Sequence, residues 1–251
     1  MHRAFNLSLN DRFTNFYARG EELNAIHRFT IKNTLDSFIA GPETIDGSRL
    51  QECWFPQVKA DVFISHSHAD KDLATELAGW LSTTFNIVPF IDSCVWGYAD
   101  ELLKPIDDKH CLNPARDTYN YEKRNGSTSH VHMMLTTALG MMMDNTECLM
   151  FLNTPNSICT RETISKTRSP WLYMELAMAR IVRRKTPGVH RDKIRFLEYF
   201  SNKQAEARLN IEYQLSLDAF TPINRNTLAM WDAQHKGKDT HALDTLYEIA
   251  Q

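Results

Sequence analysis

The sequence predicts an α/β protein built on a parallel β-sheet with helices packed against it. Three short segments, at residues 60–65, 87–92 and 147–153, are apolar and rich in residues that favour strands. A segment with apolar residues at helical spacing follows each of them. This alternation is typical of parallel sheets, because a connecting helix must return the chain to the start of the next strand.

The start of the chain has a different character. Residues 1–57 carry a rough helical stripe that includes Leu23, Ile26 and Leu35, and the pair Gly41-Pro42 ends it. The sequence therefore predicts a helical N-terminal extension over residues 1–57, followed by a main domain over residues 58–251. The extension either packs on that domain or forms a surface for assembly.

Two features of the main domain locate its first strands. The strand at 60–65 runs into a polar loop that ends at Asp70, which is a good N-cap for the helix that follows. The strand at 87–92 contains Pro89, which has no backbone N–H to donate and therefore favours the edge of the sheet.

The later part of the domain interrupts and then resumes the alternation. Residues at about 107–129 are polar and rich in turn formers, and we expect an insertion there, either a functional lid or a mobile loop. Ser169-Pro170 is a typical helix start, with serine at the cap and proline in the first turn. The remaining predicted elements are a loop at 93–97, a strand at 194–200, and helices at about 99–106, 131–143, 171–184, 228–234 and 241–250.

The composition excludes several classes of protein. Of 251 residues, 43% are hydrophobic and 24% are charged, which is a globular balance rather than a disordered one. The net charge of −3 gives no positive field for nucleic acid, and no apolar run is long enough to span a membrane. The N-terminus lacks a secretory pattern, and five cysteines without a Cys-x-x-Cys pair indicate neither a disulfide framework nor a thiolate zinc site. We therefore expect a cytoplasmic protein.

Glu175 is the strongest candidate for a functional residue. It is the only acid in the apolar stretch 171–179, where a carboxylate is costly unless it is paired or used. Trp171 lies four residues earlier on the same helical face, so an aromatic ring and an acid could hold a base and a ribose together. The alternative is a glutamate at the solvent edge of the helix, paired with Arg180 or another basic residue.

Ligands of parallel sheets bind beyond the carboxyl ends of the strands, which directs attention to the loops there. The run His66-Ser67-His68-Ala69-Asp70 resembles part of the metallo-β-lactamase signature and would allow a metal-dependent hydrolase, but Lys71 stands where that signature has histidine. Cys94 has no signature that pairs it with a base. The substrate-binding candidates in these loops and at the helix start are Ser65, His66, His68, Asp92, Trp96, Tyr98 and Trp171.

Taken in order, these segments resemble a TIR domain over roughly residues 59–200. The run from Asp61 to Asp70 is similar to the first strand and loop of that family, and Phe90-Ile91-Asp92 is similar to the end of its second strand. Residues 93–98 occupy the place of the BB loop, and the segment from Ser169 to Leu176 resembles the Trp-x-x-x-Glu motif. The resemblance implies a flavodoxin-like parallel sheet of about five strands.

The resemblance also implies an activity. Bacterial TIR enzymes cleave NAD between nicotinamide and ribose, giving ADP-ribose or a cyclic ADP-ribose isomer, and many serve antiphage defence. The chain resembles the TIR subunits of Thoeris systems. By this resemblance Glu175 is catalytic at the ribose, Ser65, His66 and His68 line the first loop, and Trp96 and Tyr98 supply stacking surface.

The expected enzyme is an NAD glycohydrolase or ADP-ribosyl cyclase that uses NAD as substrate and needs no cofactor or metal. It would be latent until activated, with TIR–TIR self-association, a phage-derived activator and a downstream effector as partners, and with no membrane or direct nucleic-acid contact. Two other classes stay open: a non-catalytic TIR interaction module, and a metal-dependent hydrolase that uses His66, His68 and Asp70. A nucleoside-processing transferase on a similar sheet is a further alternative.

Overall fold

The computed structural model describes residues 1–9, 11–32, 47–91, 99–115, 117–160, 165–167, 169–191, 213–214 and 216–250. In chain order, the strands are β1 (Arg3–Ser8), β2 (Val62–Ser65), β3 (Pro89–Ile91), β4 (Cys148–Asn153), β5 (Cys159–Thr160), β6 (Ser165–Thr167), β7 (Tyr213–Gln214) and β8 (Thr221–Asn224). The α-helices are α1 (Tyr17–Lys32), α2 (Gly47–Trp54), α3 (Lys71–Phe85), α4 (Ala99–His110), α5 (Tyr121–Asn145), α6 (Pro170–Ile181), α7 (Pro187–Arg191), α8 (Arg225–His235) and α9 (Ala242–Ile249). Single 3₁₀ turns cover Thr14–Phe16 and His68–Asp70.

Five of these strands form one parallel sheet in the order β3-β2-β4-β1-β8. The predicted α/β class is therefore confirmed, as are the three strands predicted at 60–65, 87–92 and 147–153. β3 lies at the edge, where its proline predicted it to be. A separate antiparallel sheet consists of β5, β6 and β7. The strand predicted at 194–200 lies outside the described residues.

The first strand corrects the prediction of a purely helical extension over residues 1–57. β1 pairs with β4 on one side and with β8 on the other, inside the main sheet. Phe5 and Leu7 are fully buried, and Ala4 is buried on the opposite face. The prediction was wrong because Arg3-Ala4-Phe5-Asn6-Leu7-Ser8 is short and its apolar residues do not all alternate, so the helical stripe that follows dominated the interpretation.

The sheet separates two hydrophobic cores. On one face, Phe5, Ile64 and Met150 pack with α3, α8 and α9. On the other face, Phe63 and Phe151 pack with α2, α4, α5 and α6. Helices on both faces explain why the central strands are apolar on both sides, as expected for a parallel sheet.

The predicted insertion at 107–129 is largely helical. α4 continues to His110 and α5 begins at Tyr121, so ten residues connect them, and Leu112 and Tyr119 form a β-bridge within this connection. The buried carboxylate of Asp107 accepts hydrogen bonds from Arg124 Nε at 3.0 Å and Ser127 Oγ at 2.5 Å. The side chain of Asn120 caps α5 by accepting from Lys123 N. These contacts and the packing of the two helices outweigh the low helix propensity of the glycine and serines in this stretch.

Two glycines bring α1 and α3 into backbone contact. A Cβ added at Gly79 would collide with the carbonyl oxygen of Phe16, and one at Gly20 would collide with the carbonyl oxygen of Thr75. Neither obstacle is a flexible side chain, so the helices would have to separate to admit a methyl group.

We expect Gly79→Ala to lower the free energy of unfolding by about 3 kcal/mol, since the added methyl group meets backbone. Gly126→Ala is the matched control, because a Cβ at this exposed position of α5 meets nothing within 4 Å. There the gain in helix propensity should stabilise the protein by about 0.5–1 kcal/mol. Urea denaturation of both variants measures the difference, and equal effects would contradict the close approach of the helices.

A histidine beside the amino ends of the strands is held neutral. The ring of His190 contacts the carbonyl oxygen of Asn145 at 3.2 Å, and its other ring nitrogen is buried. Burial and the nearby N-terminal ammonium lower the pKa of His190 to about 4. The neighbouring Arg191 holds Glu147 and Asp244, and its hydrogen bonds lower the pKa of Asp244 as well.

We expect His190 to make the protein less stable as the pH falls from about 6.5 to about 4. The unfolded chain takes up a proton in this window and the folded chain does not, so the stabilisation is present above the window and is lost on acidification. His190→Gln should flatten the pH dependence of urea unfolding there, while His130→Gln, at an exposed histidine of α5, should not. Unchanged slopes in the His190 variant would contradict this assignment.

Candidate functional site

The candidate site lies at the carboxyl edge of the central sheet, where β1, β2 and β4 end. Their register aligns Ser65 with Phe151 and Ser8 with Asn153, so the three strands end at nearly the same level. Ser65 is the last residue of β2, and the loop that follows it contains His66 and His68, which the sequence singled out as well. This is the edge at which open parallel sheets bind their ligands.

Glu175 is fully buried on the sheet-facing side of α6. Leu172, Leu176 and Ala179 complete the same buried stripe and belong to the core on that face of the sheet. The interpretation of Glu175 as a glutamate at the solvent edge of the helix is therefore wrong. Arg180, the partner suggested for it in that interpretation, is exposed. Because each helical residue rises about 1.5 Å, Glu175 lies about 7–8 Å from the start of the helix. Glu175 is thus in the second turn of α6, below the carboxyl edge of the sheet.

The helix start that positions this acid is built as the sequence predicts. Ser169 caps α6 by accepting a hydrogen bond from Leu172 N at 3.2 Å, and Pro170 follows in the first turn. Trp171 is partly buried and meets the ring of His132 on α5 edge to face, with centroids 5.4 Å apart. His132 therefore lines the candidate site beside Trp171. The spacing of residues along the chain did not reveal this contact.

The hairpin of α4 and α5 extends beyond this edge. His132 lies against Trp171, and Gly140 lies against Met178, so α5 and α6 run in the same direction. The eleven residues of α5 before His132 therefore extend about 16 Å past the start of α6. The segment predicted as a lid or a mobile loop is thus a helical hairpin that projects past the candidate site.

The end of β2 and the loop after it supply a buried serine hydroxyl and two histidines, of which one is buried and one is exposed. Ser65 is fully buried, and its Oγ has no hydrogen-bond partner in the described part of the chain. His66 is 4% exposed, whereas His68 is exposed on the 3₁₀ turn. Strand alternation places Ser65 on the same face as Phe63, and therefore on the side of α5 and α6.

Asp70 joins two of the loops instead of capping α3 with its side chain. Its carboxylate accepts hydrogen bonds from Thr154 Oγ1 at 2.5 Å and from Asn156 Nδ2 at 2.7 Å. Its backbone does occupy the N-cap position, so the predicted helix start is confirmed while the predicted role of the side chain is wrong. The loop after β2 is thereby fixed to the loop after β4.

The surroundings of His66, His68 and Asp70 are relevant to the alternative of a metal-dependent hydrolase. Both carboxylate oxygens of Asp70 already accept hydrogen bonds, and His68 is exposed to solvent whereas His66 is buried. Within the described ranges, no group of three or more histidines, cysteines and acidic residues is arranged to hold a metal ion. The run from His66 to Asp70 therefore gains no support as a metal site.

Several predicted residues are not located, and one residue was missed. Asp92, Trp96 and Tyr98 lie outside the described residues, as does Cys94. Asn6 was overlooked because it falls in the segment predicted as helical. Its Oδ1 is buried without a hydrogen-bond partner among the described residues, and it flanks the site from β1.

The arrangement combines a buried carboxylate, a buried hydroxyl and an indole at the carboxyl edge of a parallel sheet. Such a set can bind a polar sugar beside an aromatic ring and stabilise positive charge near the acid. In the described part of the chain, no helix has the length and apolar character needed to cross a membrane. Comparison of the chain with family models, with curated proteins and with solved structures finds no match in any of the three.

Proposed function

We propose that this chain is a TIR-type enzyme that consumes NAD by cleaving the bond between nicotinamide and ribose. One observation carries the proposal: Glu175 is fully buried on the sheet-facing stripe of α6, one turn beyond Trp171 and close to the carboxyl edge. A glutamate that was only a solvated surface residue would not have this position. The parallel sheet and the segments that resemble TIR motifs support the same conclusion.

The chemistry suits a single carboxylate. Nicotinamide in NAD is a cationic leaving group, so the C1′–N bond can break with its electron pair going to the pyridine nitrogen and without a strong general acid. The ribose then develops oxocarbenium character, as in glycoside cleavage. Glu175 would orient the ribose hydroxyls and stabilise that positive charge, in surroundings whose low dielectric strengthens the interaction.

The neighbouring groups have supporting roles in this proposal. Trp171, which packs against His132, lines the site beside Glu175. Ser65 and His66 bind the nicotinamide or the phosphates from the end of β2 and the loop after it. Asp70 holds that loop in place through Thr154 and Asn156. His68 remains a candidate contact at the exposed rim, and Asp92, Trp96 and Tyr98 remain the candidates from the loop after β3.

The burial of the site fits an enzyme that is latent until activated. Glu175 and Ser65 are both fully covered, so a dinucleotide can reach them only after neighbouring segments move. The proposed activator, a phage-derived signal, and the proposed TIR–TIR self-association would supply that movement. The product would then act on a separate effector as an antiphage immune signal.

Two reaction outcomes are compatible with the same bond cleavage. Water that attacks C1′ and loses a proton gives ADP-ribose, whereas a nitrogen of the adenine base that attacks C1′ gives a cyclic isomer. In either case the carboxylate has the same role, because the charge to be stabilised develops before the nucleophile bonds.

We expect Glu175→Gln to abolish at least about 99% of nicotinamide release, since an amide keeps the shape of the acid but cannot balance the positive charge. The measurement is NAD turnover resolved by chromatography and mass spectrometry, over a range of protein concentrations and with lysate of phage-infected cells. Glu122→Gln, at an exposed acid of α5, is the matched control and should retain full turnover.

The same experiment separates the proposal from its rivals. A wild-type protein that releases no nicotinamide under any of these conditions would contradict the enzyme and favour a non-catalytic interaction module. Turnover that is unchanged in Glu175→Gln would contradict the role of this acid. Activity that disappears with a chelator and returns with added metal would instead favour the metal-dependent hydrolase.

A further inference from the structure

Asn6 lies in one row with residues of the candidate site. β1 pairs with β4 so that Asn6 stands opposite Phe151, and β2 pairs with β4 so that Ser65 stands opposite the same phenylalanine. Asn6 and Ser65 therefore flank Phe151 from either side. Because neighbouring strands are about 4.8 Å apart, their Cα atoms are separated by about 10 Å.

The two polar side chains also share a face of the sheet. Phe5 and Leu7 of β1 pack in the core formed with α3, α8 and α9. Side chains alternate along a strand, so Asn6 points to the opposite face, together with Ala4 and Phe151. This is the face that α6 covers with the stripe that includes Glu175.

The amide oxygen of Asn6 is not satisfied within the described part of the chain. This atom, Oδ1, is buried without a hydrogen-bond partner among the described residues, as is Ser65 Oγ. Burying a polar group without a partner costs free energy, so an apolar residue would pack there more favourably. Unlike Ser65, which is fully buried, Asn6 as a residue keeps part of its surface exposed.

We propose that Asn6 is a substrate-binding residue of the candidate site, whose side-chain amide hydrogen-bonds the nicotinamide riboside half of NAD. The inference rests on the proposed function and extends the site to a strand outside the region of TIR resemblance. An amide offers one acceptor and two donors, which match either the ribose hydroxyls or the carboxamide of nicotinamide. Asn6 would thus hold the reacting half of the substrate from the side opposite Ser65.

The test measures binding without turnover. The Glu175→Gln protein and the Asn6→Leu/Glu175→Gln double variant are titrated with NAD by calorimetry, under the conditions in which the wild-type protein releases nicotinamide. We expect the double variant to bind NAD about 5- to 10-fold more weakly, which corresponds to the loss of one hydrogen bond. Asn145→Leu in the same background is the matched control, because Asn145 is exposed at the C-terminal end of α5, just before β4 begins.

A stability measurement separates binding from a structural role. Asn6→Leu replaces the amide by an apolar group of similar volume, so the melting temperature should hold or rise while NAD binding weakens. ADP-ribose identifies the contact: weaker binding of both ligands indicates the ribose, and weaker binding of NAD alone indicates the carboxamide. Either result supports the inference.

Two results would overturn it, and they are distinguishable. NAD binding that is unchanged by Asn6→Leu, or weakened only together with a fall in melting temperature, would overturn the role of Asn6 and leave the proposed function intact. Wild-type protein that binds neither NAD nor ADP-ribose and also releases no nicotinamide under any of the conditions above would overturn the proposed function, and this inference with it.

Discussion

The parallel pairing of β1 with both β4 and β8 is the interaction on which the rest of the sheet depends. In the described residues β8 pairs with β1 alone, so the C-terminal part of the chain joins the sheet through a strand from its beginning. α8 and α9 follow β8 and enclose Trp231, which is fully buried and stacks on Phe85 of α3. Losing β1 would therefore leave one edge of β4 without its hydrogen-bonded neighbour and separate β8 from the rest of the sheet.

The same pairing fixes the geometry of the candidate site. A parallel register lets strands that are distant in sequence end at one level, which brings Asn6 and Ser65 to either side of Phe151. The bridge from Asp70 to Thr154 and Asn156 then ties the loops after β2 and β4 together. The site thus has a rigid floor and linked loops, while the helical hairpin of α4 and α5 projects beside it.

Local patterns predicted the parts of this fold whose signals are contained in one segment. Three apolar strands, the edge position of Pro89 and the cap at Ser169 each follow from the chemistry of a few adjacent residues. Register is a property of two segments together, so neither the insertion of β1 into the sheet nor the contact of His132 with Trp171 had a local signal. The hairpin was misjudged for a similar reason, because Asp107 stabilises it from another helix.

The polar groups at the carboxyl edge are explained better by a function than by a contribution to stability. Phe151, Leu172 and Leu176 show that this face can be filled by apolar side chains, yet Glu175 and Ser65 are buried among them. A buried hydroxyl without a hydrogen-bond partner among the described residues, such as Ser65 Oγ, reduces stability compared with an apolar group of the same size, because it gives up hydration. Ser65 and Asn6, which lie in the same row, are therefore groups that packing alone would not select. Their common position near the carboxyl edge, where open parallel sheets bind ligands, is the physical reason for proposing that they contact a substrate.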